Sequence, residues 1–536
     1  MFTKSKPGKS IYDFFSFFGM KSLREVFAKQ TCFGQKRDCF GKVRLATTTG
    51  FLGVLRGPRI ASSLLVFSML LLGLSACRPV TSPTPTATTA PRAITPTSKV
   101  QSTRLKPTNT PTTTPTQVSS LKVKPADLKG IILQFWHPWL GEEGNTIRTL
   151  ANKFNASNEW GILVQVTYQG GYDEIFDKVN TALEKGGPPD LAVGYNYQVL
   201  SWNDKNPKAL DLSTYVDDPV WGLTKDEQAD FYPAFWNQDL AGEKHLGLPA
   251  QRSAQLIFYN TTWAKELGFS TPPATPADFR NQACAAAQAN KQDASSSNDG
   301  TGGWIVSTDY SAILGWMDAF GAQVVKPGGE EYQFNTPQVK ETFTFLRGLY
   351  DEGCAWQTEN QNPETDFAGR LGLFATGSVE DLSLQQEAFN LAGSSDQWTV
   401  IPFPSASGKP AIDIYGPSFV AFQSKPAEQL ASWLFLKWLT SPEQQAQFIQ
   451  ASEGYPTRKS VSGLLDTGDK PQWAAALKLI QSGEPEPRLQ SWSVVRWAVS
   501  DAATQLFRYY FTIDQVPTLA KLLDDTAAEL NTPTSH

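Results

Sequence analysis

Nine residues of the kind that handle hydroxyl-rich solutes fall in three short stretches of this chain: Trp136, His137 and Trp139; Tyr168 and Tyr172; Tyr195, Asn196, Tyr197 and Gln198. A flat ring covers the C–H face of a polyol, while amides and phenols match its hydroxyl groups. The same rings serve equally well as ordinary core. Tyr172, next to Gly170-Gly171, is the one most exposed by its context. A second chemistry sits near the C-terminus. Arg496 lies between Val495 and Trp497. A guanidinium in apolar surroundings needs an anion or several acceptors. A phosphate satisfies it bidentately, and a carboxylate such as Asp501 is the alternative.

Catalytic and metal-binding patterns are missing. The five cysteines form no C-x-x-C, and His137, His245 and His536 are scattered, so no zinc or other metal site is expected. Gly300–Trp304 (GTGGW) lacks the Lys-Ser/Thr of a phosphate loop. The Glu142-Glu143 pair falls in a helix first turn, where the macrodipole accounts for it. No G-x-S-x-G occurs. No catalytic residue and no cofactor are expected.

The elements around the aromatic stretches repeat a pattern. Ile131–Trp136 is a nearly continuous apolar run, as in a buried strand. Ile147, Leu150, Ala151 and Phe154 follow at helical spacing behind acids in the first turn. Ile162–Tyr168 alternates like a strand. Ile175, Phe176, Val179, Ala182 and Leu183 share a helical face that stops at Gly186-Gly187-Pro188-Pro189. Asp190–Gly194 is another strand. The order β-α-β-α-β predicts an α/β fold with a parallel sheet, whose ligands bind beyond the C-terminal strand ends. All three aromatic stretches sit there.

The chain of 536 residues has room for two to four domains. Charge is uneven. Residues 1–76 carry 12 basic and 3 acidic groups, whereas residues 121–536 carry 30 basic and 49 acidic ones. An acidic body argues against nucleic acid as a partner. Arg56 and Arg59 precede the apolar run Ile60–Leu74, with Ser75 and Ala76 just before Cys77. This is secretory-signal grammar, and the run is shorter than the roughly 20 residues of a spanning helix. Residues 1–76 therefore read as a leader with a signal peptide. About fifty residues ahead of its basic segment suggest a start placed too early, with initiation near residue 50. Residues 78–120 hold 8 Pro, 14 Thr and 5 Ser in 43 positions and cannot bury enough surface to fold. Residues 77–124 read as an anchor and an extended linker. Cys284 and Cys354 are the two cysteines of the body; a disulfide and two buried thiols both fit.

Leu74-Ser75-Ala76-Cys77 resembles the lipobox of bacterial lipoproteins, which implies lipidation of Cys77 and an extracytoplasmic body held to the cell membrane. An uncleaved signal anchor is the rival; both export the body. The stretches FWHPWLGEEGNTIRTLANKFNAS, VTYQGGYDEIFDKV and GLPAQRSAQLIFYN, with FATGS, IYGPSFVAF, WLFLKWLTSPEQQAQF, GYPTR and VVRWAV in order, resemble the extracellular solute-binding proteins of ABC importers. Within them the carbohydrate-type branch (family 1) that includes sn-glycerol-3-phosphate binders is the one resembled, over roughly residues 128–515. That resemblance implies a two-lobed, periplasmic-binding-protein-like (type II) fold with a hinge and an interlobe cleft. Lobe one is expected at 125–250 and 412–455, lobe two at 255–410 and 456–536.

The same resemblance carries ligand roles onto Tyr172, Ser253, Ser378, Gly416, Tyr455 and Arg496, the last as the phosphate ligand. The position of an acid that takes the glycerol hydroxyls is occupied here by Asn196, which keeps polyol binding but puts the identical ligand in doubt. Arg252 adjoins Ser253 and can point the other way. The implied function is a monomeric, non-enzymatic ABC-transporter lipoprotein that passes a glycerol-3-phosphate-like or small carbohydrate ligand to the permease transmembrane subunits. A neutral oligosaccharide and a secreted carbohydrate-active enzyme are the alternatives.

Overall fold

The computed structural model of the chain describes residues 118–203, 208–360 and 363–532. Cys77, the leader and nearly all of the Pro/Thr linker lie outside them. Two separate β-sheets organise the described residues. The first has five strands, in the order Leu163–Tyr168, Ile132–His137, Leu191–Tyr195, Pro417–Ala421 and Leu248–Pro249. The first three are parallel, as the β-α-β-α-β pattern requires; Pro417–Ala421 runs antiparallel to them, and Leu248–Pro249 pairs antiparallel with Pro417–Ala421. The crossover helices are Gly141–Ser157 and Tyr172–Glu184. Their apolar stripes are buried: Ile147, Leu150 and Phe154 on the first, Ile175 and Val179 on the second. Leu133, Phe135, Phe419, Trp433 and Phe435 fill the core between this sheet and the helix Pro426–Leu439.

The second sheet has seven strands and is mixed. Its spine is Ser253–Asn260, in which every residue is buried. Ile412–Tyr415, Gly372–Ser378 and Trp398–Ile401 all pair antiparallel with that spine. Gly302–Ile305, Ala355–Trp356 and Gly483–Pro485 complete it in parallel pairs. Helices Pro276–Gln292, Tyr310–Ala319, Trp492–Leu506 and Val516–Asn531 cover one face through a large aromatic and aliphatic core around Trp304, Trp316, Phe343 and Phe374. Cys284 and Cys354 form a disulfide, closing a 70-residue loop. On a chain-entropy basis such a loop is worth about 4 kcal/mol. It belongs to an oxidising compartment.

The chain passes between the halves three times. The first passage is Ala250–Arg252, between strands of the two sheets. The second is Gly416, between a strand of the second sheet and one of the first. Strand 412–415 thus sits in the second sheet, not in the first half as the expected boundary had it. Its residues hydrogen-bond to Ala254 and Ser253, and the change of sheet waits for a glycine. Gly416 has φ +151, and a Cβ there would meet the Gln251 carbonyl oxygen at 2.7 Å and Arg252 Cα at 2.9 Å. The third passage follows Lys459–Leu464. Residues 456–464, expected in the second half, stay with the first: Arg458 bridges Phe231, and Lys459 N donates to the Asp230 carbonyl at 2.8 Å. Among the described residues no helix is long and apolar enough to cross a membrane.

Candidate functional site

Tyr172 opens the helix 172–184. The turn before it needs Gly170 at φ +98, where a Cβ would lie 2.7 Å from Glu174 Cβ. That tight turn aims the ring past the end of the first sheet. Trp139 Nε1 donates to the Tyr172 hydroxyl at 3.1 Å, and the ring meets Tyr195 edge-on at 4.8 Å. Tyr195 stacks at 5.7 Å on Tyr197. Three tyrosines from the C-terminal ends of the parallel strands therefore make one continuous wall.

Arg496 reaches this wall from the opposite half. It is carried on helix 492–506, whose Val495, Val499 and Ala502 face the core and leave Arg496 and Trp497 toward the gap. Its Nη1 donates to the hydroxyl of Tyr197 and, at 3.4 Å, to that of Tyr310. The guanidinium carbon lies 4.5 Å from the Tyr197 ring centre, 4.8 Å from Trp497 and 5.4 Å from Tyr310. Such packing holds a cation by its faces and leaves its edge for acceptors. Arg496 Nε is buried and has no acceptor.

Carboxylates flank the other end of the tyrosine wall. Glu143, in the first turn of helix 141–157, accepts from Gln251 Nε2 at 3.2 Å. Burial is the main cause of its raised pKa, partly offset by that bond. Glu380 follows the strand 372–378 of the second sheet. Solvent reaches it, but protein encloses it on most sides. Poor hydration, then Glu143 and Asp381, push its carboxyl up to about 7. Tyr172, Tyr195 and Tyr415 each feel the charge of Glu380. All three are half-buried, so these groups line a partly open gap. Its chemistry is hydroxyl acceptors at one end and a guanidinium edge at the other.

The residues expected to bind ligand divide. Tyr172 and Arg496 lie on this gap. Ser253 opens the buried central strand with its Oγ beside the Tyr415 hydroxyl. Gly416 is at the crossing next to it. Ser378 donates its hydroxyl to Asp381 Oδ2 at 2.8 Å and is 6 % exposed. Asn196 heads a short helix and donates Nδ2 to the Gln238 carbonyl; its buried Oδ1 has no donor. Tyr455 does not reach the gap. It is 0 % exposed, packs with Trp473 and Ala476, and donates its hydroxyl to the Ala476 carbonyl at 2.9 Å. The turn sequence is present, but the ring points into the core.

Sequence reasoning missed Glu380, Tyr310, Tyr415 and Gln251. It gave Glu143 to the helix dipole alone. Trp139 and His137 are core residues, 3 % and 2 % exposed. Burial, with a smaller contribution from Arg148, lowers the His137 pKa to about 4.

Comparison with known proteins agrees with this architecture. The sequence profile of bacterial extracellular solute-binding proteins matches residues 149–479. The sn-glycerol-3-phosphate-binding periplasmic protein of Escherichia coli is 24% identical over 349 residues, 62% of this chain and 75% of that protein. Among solved structures, the sugar-binding protein MalE of Xanthomonas citri superposes with a TM-score of 0.64 at 20% identity, covering 75% of this chain and 97% of that one. The UgpB protein of Mycobacterium tuberculosis, in complex with glycerophosphocholine, gives 0.58 at 16% identity over 74% and 98%.

Proposed function

The chain belongs to the bacterial extracellular solute-binding proteins, and from that premise we propose that it clamps a glycerol-3-phosphate-like or small carbohydrate ligand between its two halves. Its relatives and structural neighbours are binding proteins of importers rather than enzymes, and their family works outside the cytoplasm. The observation that carries the ligand reading is the position of Arg496. It spans from the second half to Tyr197 of the first, with a buried Nε left open. A phosphate takes that edge, while Glu143 and Glu380 accept hydroxyl protons at the far end. Tyr172 and Tyr195 supply the flat surface between them.

In this reading the halves are lobes that hinge at Ala250–Arg252, Gly416 and the segment after Leu464. Closure brings Tyr197 and Arg496 together and presents a surface to the permease transmembrane subunits. A lipid on Cys77 keeps the monomer at the membrane, and the Pro/Thr linker gives it reach. Micromolar capture corresponds to about 8 kcal/mol.

Calorimetry with sn-glycerol 3-phosphate and maltose tests the ligand. For Arg496→Ala the expected loss is about tenfold or more for the phosphate and little for the sugar. The specific support for a neutral oligosaccharide is the Arg496–Tyr197 contact, which would then serve only as a latch. Equal losses for both ligands favour that second reading. Radiolabelled palmitate incorporated into the wild type and absent from Cys77→Ser tests the anchor.

A further inference from the structure

A crevice of about 940 Å³ lies near the Tyr197–Arg496 contact: Glu486, which lines it, feels the charge of Arg496. Its walls come from both halves, with Leu200 and Asn237 on one side and Gly321–Val325 on the other. The charged lining is mostly acidic: Asp318, Glu330, Glu484 and Glu486. Arg488 is the one basic lining residue, and it already donates to the Asn237 carbonyl at 2.5 Å.

Glu486 is only 9 % exposed. Its Oε2 accepts from Trp492 Nε1 at 2.9 Å, whereas its buried Oε1 has no donor. Asp413, 1 % exposed, has an Oδ2 that also has none. Backbone geometry holds the two together. Asp413 registers against Glu484 in a parallel strand pair, and Glu486 N donates to the Ile414 carbonyl at 3.2 Å. Two buried carboxylates with an unpaired oxygen each are costly unless something supplies donors. The neighbouring guanidinium of Arg496 gives neither of them a hydrogen bond: its Nη1 donates to Tyr197 and Tyr310, and its Nε is unpaired.

A metal ion does not fit this need. Among the described residues the one group of three possible ligands within 4.8 Å of one another is Cys284, Glu352 and Cys354, two of which are joined as a disulfide. The crevice is also far larger than an ion requires. A multi-atom unit carrying donors and positive charge matches both its size and its sign.

We infer that this crevice is a second subsite, built to take the ammonium-bearing end of an extended solute whose other end occupies the gap at Tyr172 and Arg496. The inference rests on the interlobe reading above. Charge at Glu486 depends on pH. Burial raises its pKa to about 7 despite the Trp492 bond and Arg496, with Asp309 adding to the rise. Asp413 is raised by burial, then by Glu486, Asp318 and Asp309. The groups facing the pair are Asp309, which caps helix 310–319, Tyr310 and Asp318 on that helix, Tyr197 of the first half, and Trp492 and Arg496 of helix 492–506. Negative charge at Glu486, and with it the preference for a cation, grows as pH rises through about 7.

Two phosphodiesters that differ in the charge of their second unit test this in the full-length protein: glycerophosphoethanolamine and glycerophosphoglycerol. Calorimetry at pH 8 is expected to give about a tenfold preference for the amine. Asp413→Asn/Glu486→Gln brings the ratio near unity, and so does lowering the wild type to pH 5.5. The single variant Glu486→Gln, which keeps an acceptor for Trp492, lowers the ratio and guards against misfolding of the pair. Equal affinities in the wild type at pH 8, or a preference that survives both variants, overturns the inference. If sn-glycerol 3-phosphate or maltose binds and neither phosphodiester does, the second subsite alone falls. If no polyol, sugar or phosphodiester binds, the interlobe reading falls with it.

Discussion

Arg252 and Arg496 are both arginines at the junction of the two halves, yet their surroundings are opposite. Arg252 is 1 % exposed, and its donors are taken by protein acceptors on every side. Nε donates to Gln238 Oε1 at 2.6 Å, Nη1 to the Gln251 and Pro417 carbonyls, and Nη2 to Ser418 Oγ at 3.1 Å. Asp239 lies 3.4 Å away as its counter-ion. Arg496 is held by ring faces and two phenols, with Nε open. A guanidinium caged by backbone carbonyls and a buried acid stabilises a crossing. One gripped by its faces presents an edge to something that comes and goes.

The largest effect expected from breaking this contrast is on stability at the caged position. Arg252→Met leaves Asp239 buried without its partner, and urea denaturation should show a loss of about 4 kcal/mol. Arg252→Lys should recover little, because one ammonium cannot reach the acceptors that the planar fork spans. The open position should behave in the reverse way. Arg496→Ala is expected to change stability by less than about 1 kcal/mol while weakening glycerol 3-phosphate by the tenfold given above.

A pair of tyrosines sharpens the same distinction. Tyr455→Phe removes the bond to Ala476, so a loss of about 1 kcal/mol in denaturant with unchanged ligand affinity is expected. Tyr172→Phe also takes the acceptor from buried Trp139 Nε1, so it should cost a similar amount, about 1 kcal/mol, but, unlike Tyr455→Phe, weaken ligand as well. If Tyr455→Phe instead weakens ligand, its assignment to the core is wrong.

The smallest effect is electrostatic. The native Glu380 carboxyl, at about 7, holds its proton more tightly than the unfolded chain does near 4.5. The native state therefore binds more protons between those values, and stability falls as pH rises from about 4.5 to about 7. Because solvent reaches Glu380, its share should stay below about 1 kcal/mol. Melting temperatures of wild type and Glu380→Gln, recorded from pH 4 to pH 8, check this. The variant should show the shallower decline.

Much of the first half was legible because its signals are local. The apolar run 131–136 and the alternation 162–168 match strands 132–137 and 163–168, and the glycine-proline cluster after Leu183 stops the helix at Glu184. The α/β class and its two-lobed form follow from that order and from the ordered motifs. The second sheet was harder. Its central strand is buried throughout and pairs with segments more than a hundred residues away, and no periodicity announces such partners. The passage at Gly416 was misjudged for the same reason. IYGPSF reads as one strand until the close approach of Gln251 and Arg252 makes its glycine a change of sheet.

The wall of tyrosines and the arginine opposite them are written in the chain as residue types, and their order at strand ends follows from β-α-β grammar. Tyr172 could be nominated on that basis, and Arg496 from its apolar neighbours in sequence and the family resemblance. What lies across from them could not. Glu380, Tyr310, Tyr415 and the pair Asp413 and Glu486 are separated from the tyrosine wall by one to three hundred residues. Whether Tyr455 faces core or gap depends on which carbonyl its hydroxyl finds. Sequence determines what a residue can donate or accept, and the local twist that carries it. Which partner it meets, how much water remains around it, and therefore which charge it holds are set only when distant segments pack, because burial and electrostatic neighbours are properties of the assembled space.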